Sequence, residues 1–164
     1  MRIIAWIIVV TLFAVALVVL AGQFGLFTGQ PPHLGVQGGR LKPPSVTSNS
    51  VSSQARLYPD HPQKDYATIA PMAIQGDGTA AIDRLDAVLR EKPGCSVVTR
   101  RPDYIYVTCQ TKWLKFTDDL EFWQDPTAHV IQVRSSSRLG RKDFGVNRAR
   151  IESIRKRFDS TQPS

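Results

Sequence analysis

The sequence has few of the residues from which metal centres and nucleophilic enzymes are built. It contains only two cysteines and three histidines among 164 residues, and Cys95 and Cys109 alone do not give the ligand spacing of a zinc site. There is no phosphate-binding glycine loop, no nucleophile elbow and no metal-ligating histidine pair. Asp118 and Asn147 could offer oxygens to a divalent cation, but two ligands fall short of a site. We therefore expect neither a metal nor a cofactor.

Charge is missing from the N-terminal part of the chain, where no charged side chain occurs between Arg2 and Arg40. Ile3 to Leu20 form an uncharged apolar run that is long enough to cross a bilayer. A cleaved signal peptide is the alternative, since Val19-Leu20-Ala21 resembles a cleavage site, although the apolar region of a signal peptide usually holds ~7–15 residues. We predict an uncleaved anchor within residues 1–27.

The orientation of this anchor follows from the placement of positive charge. Arg2 and the α-amino group precede the apolar run, whereas the nearest positive charge after it is Arg40. The positive-inside rule then predicts a cytoplasmic N-terminus and a domain on the other side. The expected localisation is the inner membrane of a cell envelope, with a single pass and a periplasmic soluble domain.

The composition changes after the anchor and predicts two further segments. Residues 28–53 are rich in Gly, Pro, Ser, Thr and Asn, which is typical of a tether. Residues 54–160 form the rest, about 100 residues, which is enough for one modest two-layer core and too few for a second domain. The patterns predict an α+β domain of order β-α-β-β-β-β-α, an antiparallel meander with both helices on one face.

The elements of this domain follow from periodicity and from start and stop signals. Tyr66 to Ala70 predict an edge strand that Pro71 ends. A helix capped by Asp77 or Thr79 follows, and its buried stripe is Ile82, Leu85, Val88 and Leu89. The last helix has an apolar face comprising Phe144, Asn147, Ile151, Ile154 and Phe158.

Between the helices lie two predicted hairpins. In the first, a loop centred on Pro102 pairs Thr99 with Ile105, Val97 with Val107 and Cys95 with Cys109. The two cysteines then form either a cross-strand disulfide, which an exported domain permits, or a pair of buried thiols. A register error of one residue would separate them, so the pattern leaves both outcomes open.

The second hairpin belongs to the stretch from Phe116 to Glu152, which holds most of the polar residues. Alternation places Leu114, Phe116, Asp118, Leu120 and Phe122 on one face, and Asp119, Glu121 and Trp123 on the other. A turn at Asp125-Pro126-Thr127-Ala128 predicts Phe122 opposite Ile131, Leu120 opposite Val133 and Asp119 opposite Arg134.

Three runs in the chain resemble a known family. The segments FTDDLEF, VRSSSRLGRKDFGVNRARIE and LGVQGGRLKPPSVTSNSVSSQA are similar to those of the bacterial and chloroplast domain of unknown function 1499, over about Leu34 to Phe158. Ser50 stands where many relatives carry Cys, so no thiol role transfers to it. The resemblance implies that part of the tether, above all Asn49 to Gln54, lies ordered against the domain. It implies no activity.

The net charge of +7 lies in one segment, because residues 134–157 hold nine Lys or Arg against Asp143 and Glu152. Arg148 and Arg155 are expected on a solvated helix face. With the domain outside the cytoplasm, anionic lipid, glycan or an acidic protein is the expected partner, and nucleic acid is not. We predict one polar cluster, which either binds a ligand or is structural: Asp118, Asp119, Glu121, Arg134, Ser135, Ser137, Arg138, Asp143, Asn147 and Arg148.

This cluster supports three hypotheses. A buried Asp118 could accept hydrogen bonds from Ser135 or Arg138 and lock the last helix onto the sheet. The arginines could instead bind an anionic ligand, which makes the protein a non-enzymatic envelope module acting through Arg134 to Arg148. The alternative is an envelope hydrolase that uses Asp118 with the Ser135–Ser137 run, although Asp118 and Asp119 face opposite sides of the sheet and His129 lies far from the serines.

Overall fold

The computed structural model describes residues 2–162 and begins with one long apolar helix, α1 (Arg2–Gln23). By length and composition α1 can cross a membrane, and no residue of its most apolar window is buried inside the protein. A signal sequence near an N-terminus has the same properties.

A six-stranded antiparallel sheet forms the centre of the domain. Its strands are β1 (Ser50–Ser52), β2 (Met72–Ala73), β3 (Cys95–Arg101), β4 (Tyr104–Gln110), β5 (Thr117–Asp125) and β6 (Val130–Ser137). The order is β1-β6-β5-β4-β3, and β2 also pairs with β6. Four consecutive strands therefore form the predicted meander, and the α+β prediction is confirmed.

The helices α2 (Lys64–Ala67), α3 (Gly78–Arg90) and α4 (Val146–Asp159) complete the domain, together with a 3-10 turn at Ala55–Leu57. As predicted, Asp77 caps α3, since its side chain accepts a hydrogen bond of 2.8 Å from Ala80 N. The helices α3 and α4 pack on one face of the sheet around a core that includes Ile82, Leu85, Leu89, Ile105, Leu120, Phe122, Ile131, Val133, Ile151, Ile154 and Phe158.

Two local predictions were wrong. Tyr66 to Ala70 do not form an edge strand, because Lys64–Ala67 make a helical turn that Thr68 closes by donating its N–H and its hydroxyl to Lys64 O. The short edge strand is β2, which follows Pro71. Phe144 is 92% exposed rather than buried, because it precedes α4 with a positive φ of 52°.

The first hairpin has the predicted pairs Cys95–Cys109 and Val97–Val107, and the structure contains the Cys95–Cys109 disulfide. Beyond Val97 the prediction was wrong, since a bulge at Val98 places Thr99 opposite Tyr106 instead of Ile105. The bulge adds a residue to β3 and shortens the connecting loop.

The second hairpin is shifted by two residues from its predicted register. Phe122 pairs with Val133, Leu120 with Ser135 and Glu121 with Arg134. The pairing ends at Asp125 and Val130, so the four-residue loop is 126–129 instead of the predicted 125–128, with His129 in the left-handed region at φ 51°. An even shift keeps every side chain on its predicted face.

Residues 30–45, here called the cover segment, lie on the face of the sheet opposite the helices. Leu41 is 1% exposed and packs with Tyr104 and Trp123. Its N–H donates to Gln54 Oε1 at 2.8 Å. Because β1 follows immediately and pairs with β6, the second half of the predicted tether is part of the domain.

Candidate functional site

The alternation of β5 and β6 divides the polar residues into two clusters on opposite faces at one end of the sheet. Asp118, Ser135 and Ser137 face the helices, and with residues of α4 they form the helix-face cluster. Asp119, Glu121, Arg134 and Ser136 face the cover segment. With Arg138, Tyr104 and Tyr106 they form the cover-face cluster.

Asp118 in the helix-face cluster pairs with Arg150 of α4 at 2.6 Å, and the side chains of both are at most 13% exposed. The predicted partners were wrong. Ser135 donates instead to Asn147 Oδ1, because the register places Ser137 rather than Ser135 opposite Asp118. Arg138 lies across the sheet and binds Asp119. The buried carboxylate is therefore balanced by a cation from the last helix.

Asn147 is fully buried and connects three parts of the fold. Its Nδ2 donates to the carbonyl oxygen of Asn49 at 3.1 Å and to Ser137 Oγ at 3.0 Å. Its backbone N–H donates to Asp143 Oδ2 at 3.0 Å. This amide thereby joins the start of α4 to β6 and to the segment before β1.

Asp143 fixes the beginning of α4. Its Oδ1 accepts hydrogen bonds from the Tyr66 hydroxyl and from Gly145 N. Burial raises the pKa of this carboxyl, but hydrogen bonds from Tyr66 and from the backbone of Asn147 and Gly145 outweigh it and leave the pKa below its ordinary value. The ionised form of Asp143 is thus favoured by the fold.

The arginines predicted on a solvated face bind backbone carbonyls instead. Arg148 Nη2 donates to Tyr66 O at 2.6 Å and to Thr68 O at 2.9 Å. Arg155 donates to Ala70 O and Pro71 O. The segment before β2 has few strand partners, so these guanidinium groups satisfy its carbonyls. Much of the basic segment is therefore structural.

The cover-face cluster contains a carboxylate without solvent exposure, Glu121. Its Oε1 accepts from the Tyr104 hydroxyl at 2.8 Å and from Gly35 N at 2.9 Å, and its Oε2 lies 3.5 Å from Arg134 Nη1. Burial, then the charge and hydrogen bond of Glu121, raise the pKa of Tyr104. Burial also lowers the pKa of Arg134, against the opposing charge of Glu121.

Asp119 holds Arg138 by a two-point contact. Arg138 Nε lies 2.9 Å from Asp119 Oδ2, and its Nη2 lies 2.8 Å from Oδ1. The hydrogen bonds to Asp119 raise the pKa of Arg138. The Tyr106 hydroxyl donates to the same carboxylate at 2.6 Å. Burial and this hydrogen bond raise the pKa of Tyr106 to about 12. Both carboxylate oxygens of Asp119 therefore accept hydrogen bonds from neighbouring side chains.

A cavity of about 250 Å³ lies between this cluster and the cover segment. Arg134 is 5% exposed and lines it. Its Nε donates to Pro43 O at 3.3 Å and its Nη1 to Glu121, whereas its Nη2 donates no hydrogen bond to any residue of 2–162. The cavity is lined by Gln30, Pro32, Lys42, Pro43, Pro44, Ser45, Asp119, Arg134, Ser136, Ser137 and Arg138.

One family model matches residues 40–158, and its description is "Protein of unknown function (DUF1499)". The chain belongs to this family. The match extends from the cover segment through α4 and includes Lys42, Asp119, Arg134, Ser136 and Arg138. No curated protein and no solved structure matched the chain.

Within the DUF1499 domain, the structure separates residues that the sequence analysis treated as one locus. Asp119, Glu121, Arg134 and Arg138 come together beside the cavity. The others lie on the helix face: Asp118, Ser135, Asp143, Asn147 and Arg148, with Ser137 contributing to both.

Two residues of these clusters, Lys42 and Arg150, were not predicted from the sequence. Lys42 occurs in the family-like run LGVQGGRLKPPS, which could have indicated it. Arg150 lies one helical turn after Asn147, on the side of α4 that meets Asp118. An inward carboxylate on a strand requires such a partner, so this spacing was a usable signal.

Proposed function

We propose that this protein is a membrane-anchored, non-enzymatic module that binds a small anionic ligand in the cavity beneath the cover segment. Arg134 and Arg138 form its inner wall, Lys42 its outer wall, and Ser136 offers a hydroxyl. The proposed binding region is therefore the cover face of the sheet, and not the whole segment from Arg134 to Arg148.

One observation carries the proposal: Arg134 is almost fully buried, and its Nη2 donates no hydrogen bond to residues 2–162. Among the described residues, Nη2 is not one of the buried atoms that lack a partner, so it opens onto the cavity, where a ligand or water can accept its hydrogen bond. The hydroxyl of Ser136 is 9% exposed at the residue level and also donates to no described residue. Arg134 and Ser136 therefore both offer hydrogen-bond donors to the cavity.

The charges and the volume define the ligand class. Lys42, Arg134 and Arg138 lie against Asp119 and Glu121, which leaves an excess of one positive charge. A volume of about 250 Å³ is just below the roughly 300–1,000 Å³ of most ligand cavities. It fits a phosphate ester or a carboxylated sugar unit, whereas a folded acidic protein could contact only the rim.

The hydrolase alternative receives no support from the geometry. Asp118 is paired with Arg150, and the hydroxyl of Ser135 is directed to Asn147 beneath α4. The cavity reaches Ser136 and Ser137 of the serine run, but the carboxylate that lines it is Asp119 and not Asp118. The Asp119 carboxylate is held by Arg138 and Tyr106, so it is not positioned as a free base.

Anchoring and orientation complete the proposal. The apolar length of α1 supports a membrane anchor, and Arg2 at its start favours a cytoplasmic N-terminus, hence a periplasmic domain in the cell envelope. A protein that resists carbonate extraction, with a domain digested only by protease on the non-cytoplasmic side, is expected. Recovery of a soluble form beginning at Gly22 or Gln23 would instead identify a cleaved signal.

The ligand site is tested by calorimetric titration of the detergent-solubilised full chain with inorganic phosphate, glycerol 3-phosphate and glucuronate, and with glucose as neutral reference. Lys42→Ala should weaken binding of the preferred anion by about tenfold, which is the loss of ~1.4 kcal/mol. The matched control is Lys142→Ala, since Lys142 is exposed and outside the cavity wall. It should stay within about twofold of wild type.

Arg134→Lys gives the sharper test, because it keeps a cation beside Glu121 and removes the fork that carries Nη2. Binding should fall further than in Lys42→Ala, while circular dichroism and thermal unfolding report whether the fold persists. Equal binding by wild type, Lys42→Ala and Arg134→Lys, or no binding of any anion by folded wild type, would overturn the proposal.

A further inference from the structure

The loop between β4 and β5 contacts the end of helix α1. Gln23 Nε2 donates to the carbonyl oxygen of Trp113 at 2.7 Å. Gly22 is buried there, and a Cβ at this position would lie 2.8 Å from Leu114 Cα. Only glycine permits this approach, so the helix and the loop form one packed unit.

The contact continues down the apolar helix. Trp113 and Leu114 line an apolar cleft with residues of the preceding turns of α1, namely Thr11, Ala14, Val15, Val18 and Val19. At a rise of 1.5 Å per residue, the run from Ile3 to Leu20 spans about 27 Å, close to the ~30 Å hydrocarbon core of a bilayer. The cleft extends from Thr11, near the middle of this run, to Val19, near its end, so Trp113 and Leu114 lie beside the half of the span that is nearer the domain, from within the hydrocarbon to its boundary.

The surface around this contact is apolar and aromatic. Trp113 is 62% exposed, Phe24 is 88% exposed and Leu26 is 70% exposed. Phe27 stacks on Phe116 with ring centroids 5.4 Å apart. A contiguous exposed aromatic surface on a soluble domain marks an interaction site, and Trp beside a membrane helix is typical of the bilayer interface.

Two lysines border this surface. Lys112 Nζ lies 5.1 Å from the centre of the Trp113 ring, and Lys115 follows Leu114. Lysines at this level can keep their stems in the interface while the ammonium groups reach lipid phosphates. Both the apolar side chains and the charges match one partner, a lipid bilayer.

We propose that Lys112–Phe116 and Phe24–Phe27 form a membrane-inserted foot, which holds the domain at the lipid interface. This inference rests on the membrane-anchoring part of the proposed function and is independent of the ligand cavity. The foot is continuous with the anchor, so the domain lies directly against the membrane surface.

Quenching by brominated lipids tests this proposal on the full chain in phosphatidylcholine–phosphatidylglycerol vesicles. The chain has three tryptophans, so Trp6→Phe removes the one within the anchor and leaves Trp113 and the buried Trp123. The tryptophan fluorescence of the Trp6→Phe variant should be quenched more by lipids brominated near the headgroup than by lipids brominated near the bilayer centre. Adding Trp113→Phe should abolish most of this quenching, while Trp123 fluorescence remains.

Flotation of the same vesicles separates the possible failures. If the protein floats but Trp113 is quenched by aqueous iodide and not by brominated lipid, the foot is refuted and the anchor stands. If the protein does not float, both the anchor and the foot are refuted. Anion titration of the cavity is unaffected by either result, because it requires only the folded domain.

Discussion

The two faces of the sheet carry similar polar side chains but differ in how those side chains are satisfied. Under α4, Asp118 meets Arg150 and Ser135 meets Asn147, so each polar group has a side-chain partner from the helix. Under the cover segment, Arg134 meets the carbonyl oxygen of Pro43 and keeps Nη2 without a hydrogen bond to residues 2–162.

This difference follows from the covering layer. A helix presents long side chains to the sheet, whereas a Pro- and Gly-rich extended chain presents mostly backbone groups, such as Gly35 N and Pro43 O. The extended layer cannot saturate a guanidinium that has five donors. Polar residues of a sheet therefore become available to a ligand where their cover is extended chain.

The largest expected effect is on the helix face. Asp118→Ala leaves Arg150 buried without its carboxylate, which should destabilise the domain by about 3–5 kcal/mol. Chemical denaturation measures the change. In the double variant Asp118→Ala/Arg150→Ala the loss should be smaller than the sum of the single losses. A loss below about 1 kcal/mol for the single variant would show that the pair does not hold α4.

A smaller loss is expected at Arg148. Its removal leaves the carbonyls of Tyr66 and Thr68 without their charged donor, which should cost about 1.5–3 kcal/mol. Lys156→Ala, on the exposed side of the same helix, is the matched control and should stay within about 0.5 kcal/mol of wild type. Equal effects of the two variants in denaturation would mean that Arg148 is only solvated.

Adjacent serines compare the two faces directly. Ser135→Ala removes the hydrogen bond to Asn147 and should cost about 0.5–1.5 kcal/mol. Ser136→Ala removes a hydroxyl that donates to no described residue, so stability should change by less than about 0.5 kcal/mol. Ser136→Ala should instead weaken anion binding in calorimetry. If Ser136→Ala proved more destabilising than Ser135→Ala, the two faces would not differ in how their hydroxyl groups are hydrogen-bonded.

The smallest expected effect is the contribution of Asp143, which is present at neutral pH and lost in acid. The pKa of Asp143 is lower in the folded state than its ordinary value, so its ionised form stabilises the fold at neutral pH, and this contribution disappears as the pH falls through the folded pKa. Asp143→Asn should therefore be less stable than wild type at pH 7, with a difference that shrinks below about pH 4. A pH-independent difference would assign its effect to packing.

Sequence patterns predicted the faces of the strands because alternation is a local property. Asp118 was correctly placed toward the helices and Asp119 away from them, even though the hairpin register was wrong by two residues. The register depended on the loop, where His129 adopts a left-handed conformation that no pattern near it indicated.

Side-chain partners were predicted poorly because they join distant parts of the chain. Arg134 meets Pro43, and Arg148 meets Tyr66, across more than 80 residues in each case. Such contacts depend on how the cover segment and α4 lie on the sheet, and composition alone made that segment resemble a tether. The cavity was therefore beyond prediction, whereas three charged residues of its wall, Asp119, Arg134 and Arg138, were predicted and Lys42 was not.

The cover segment also sets the order in which the molecule can be completed. Pro43 precedes Arg134 by 91 residues, and a ribosome that adds about 5–20 residues per second separates them by roughly 5–18 s. During that interval the cover segment has no sheet on which to lie. Its Pro and Gly residues disfavour helices and strands in the cover segment before β6 is available. The cavity is thus closed only after β6 has been synthesised.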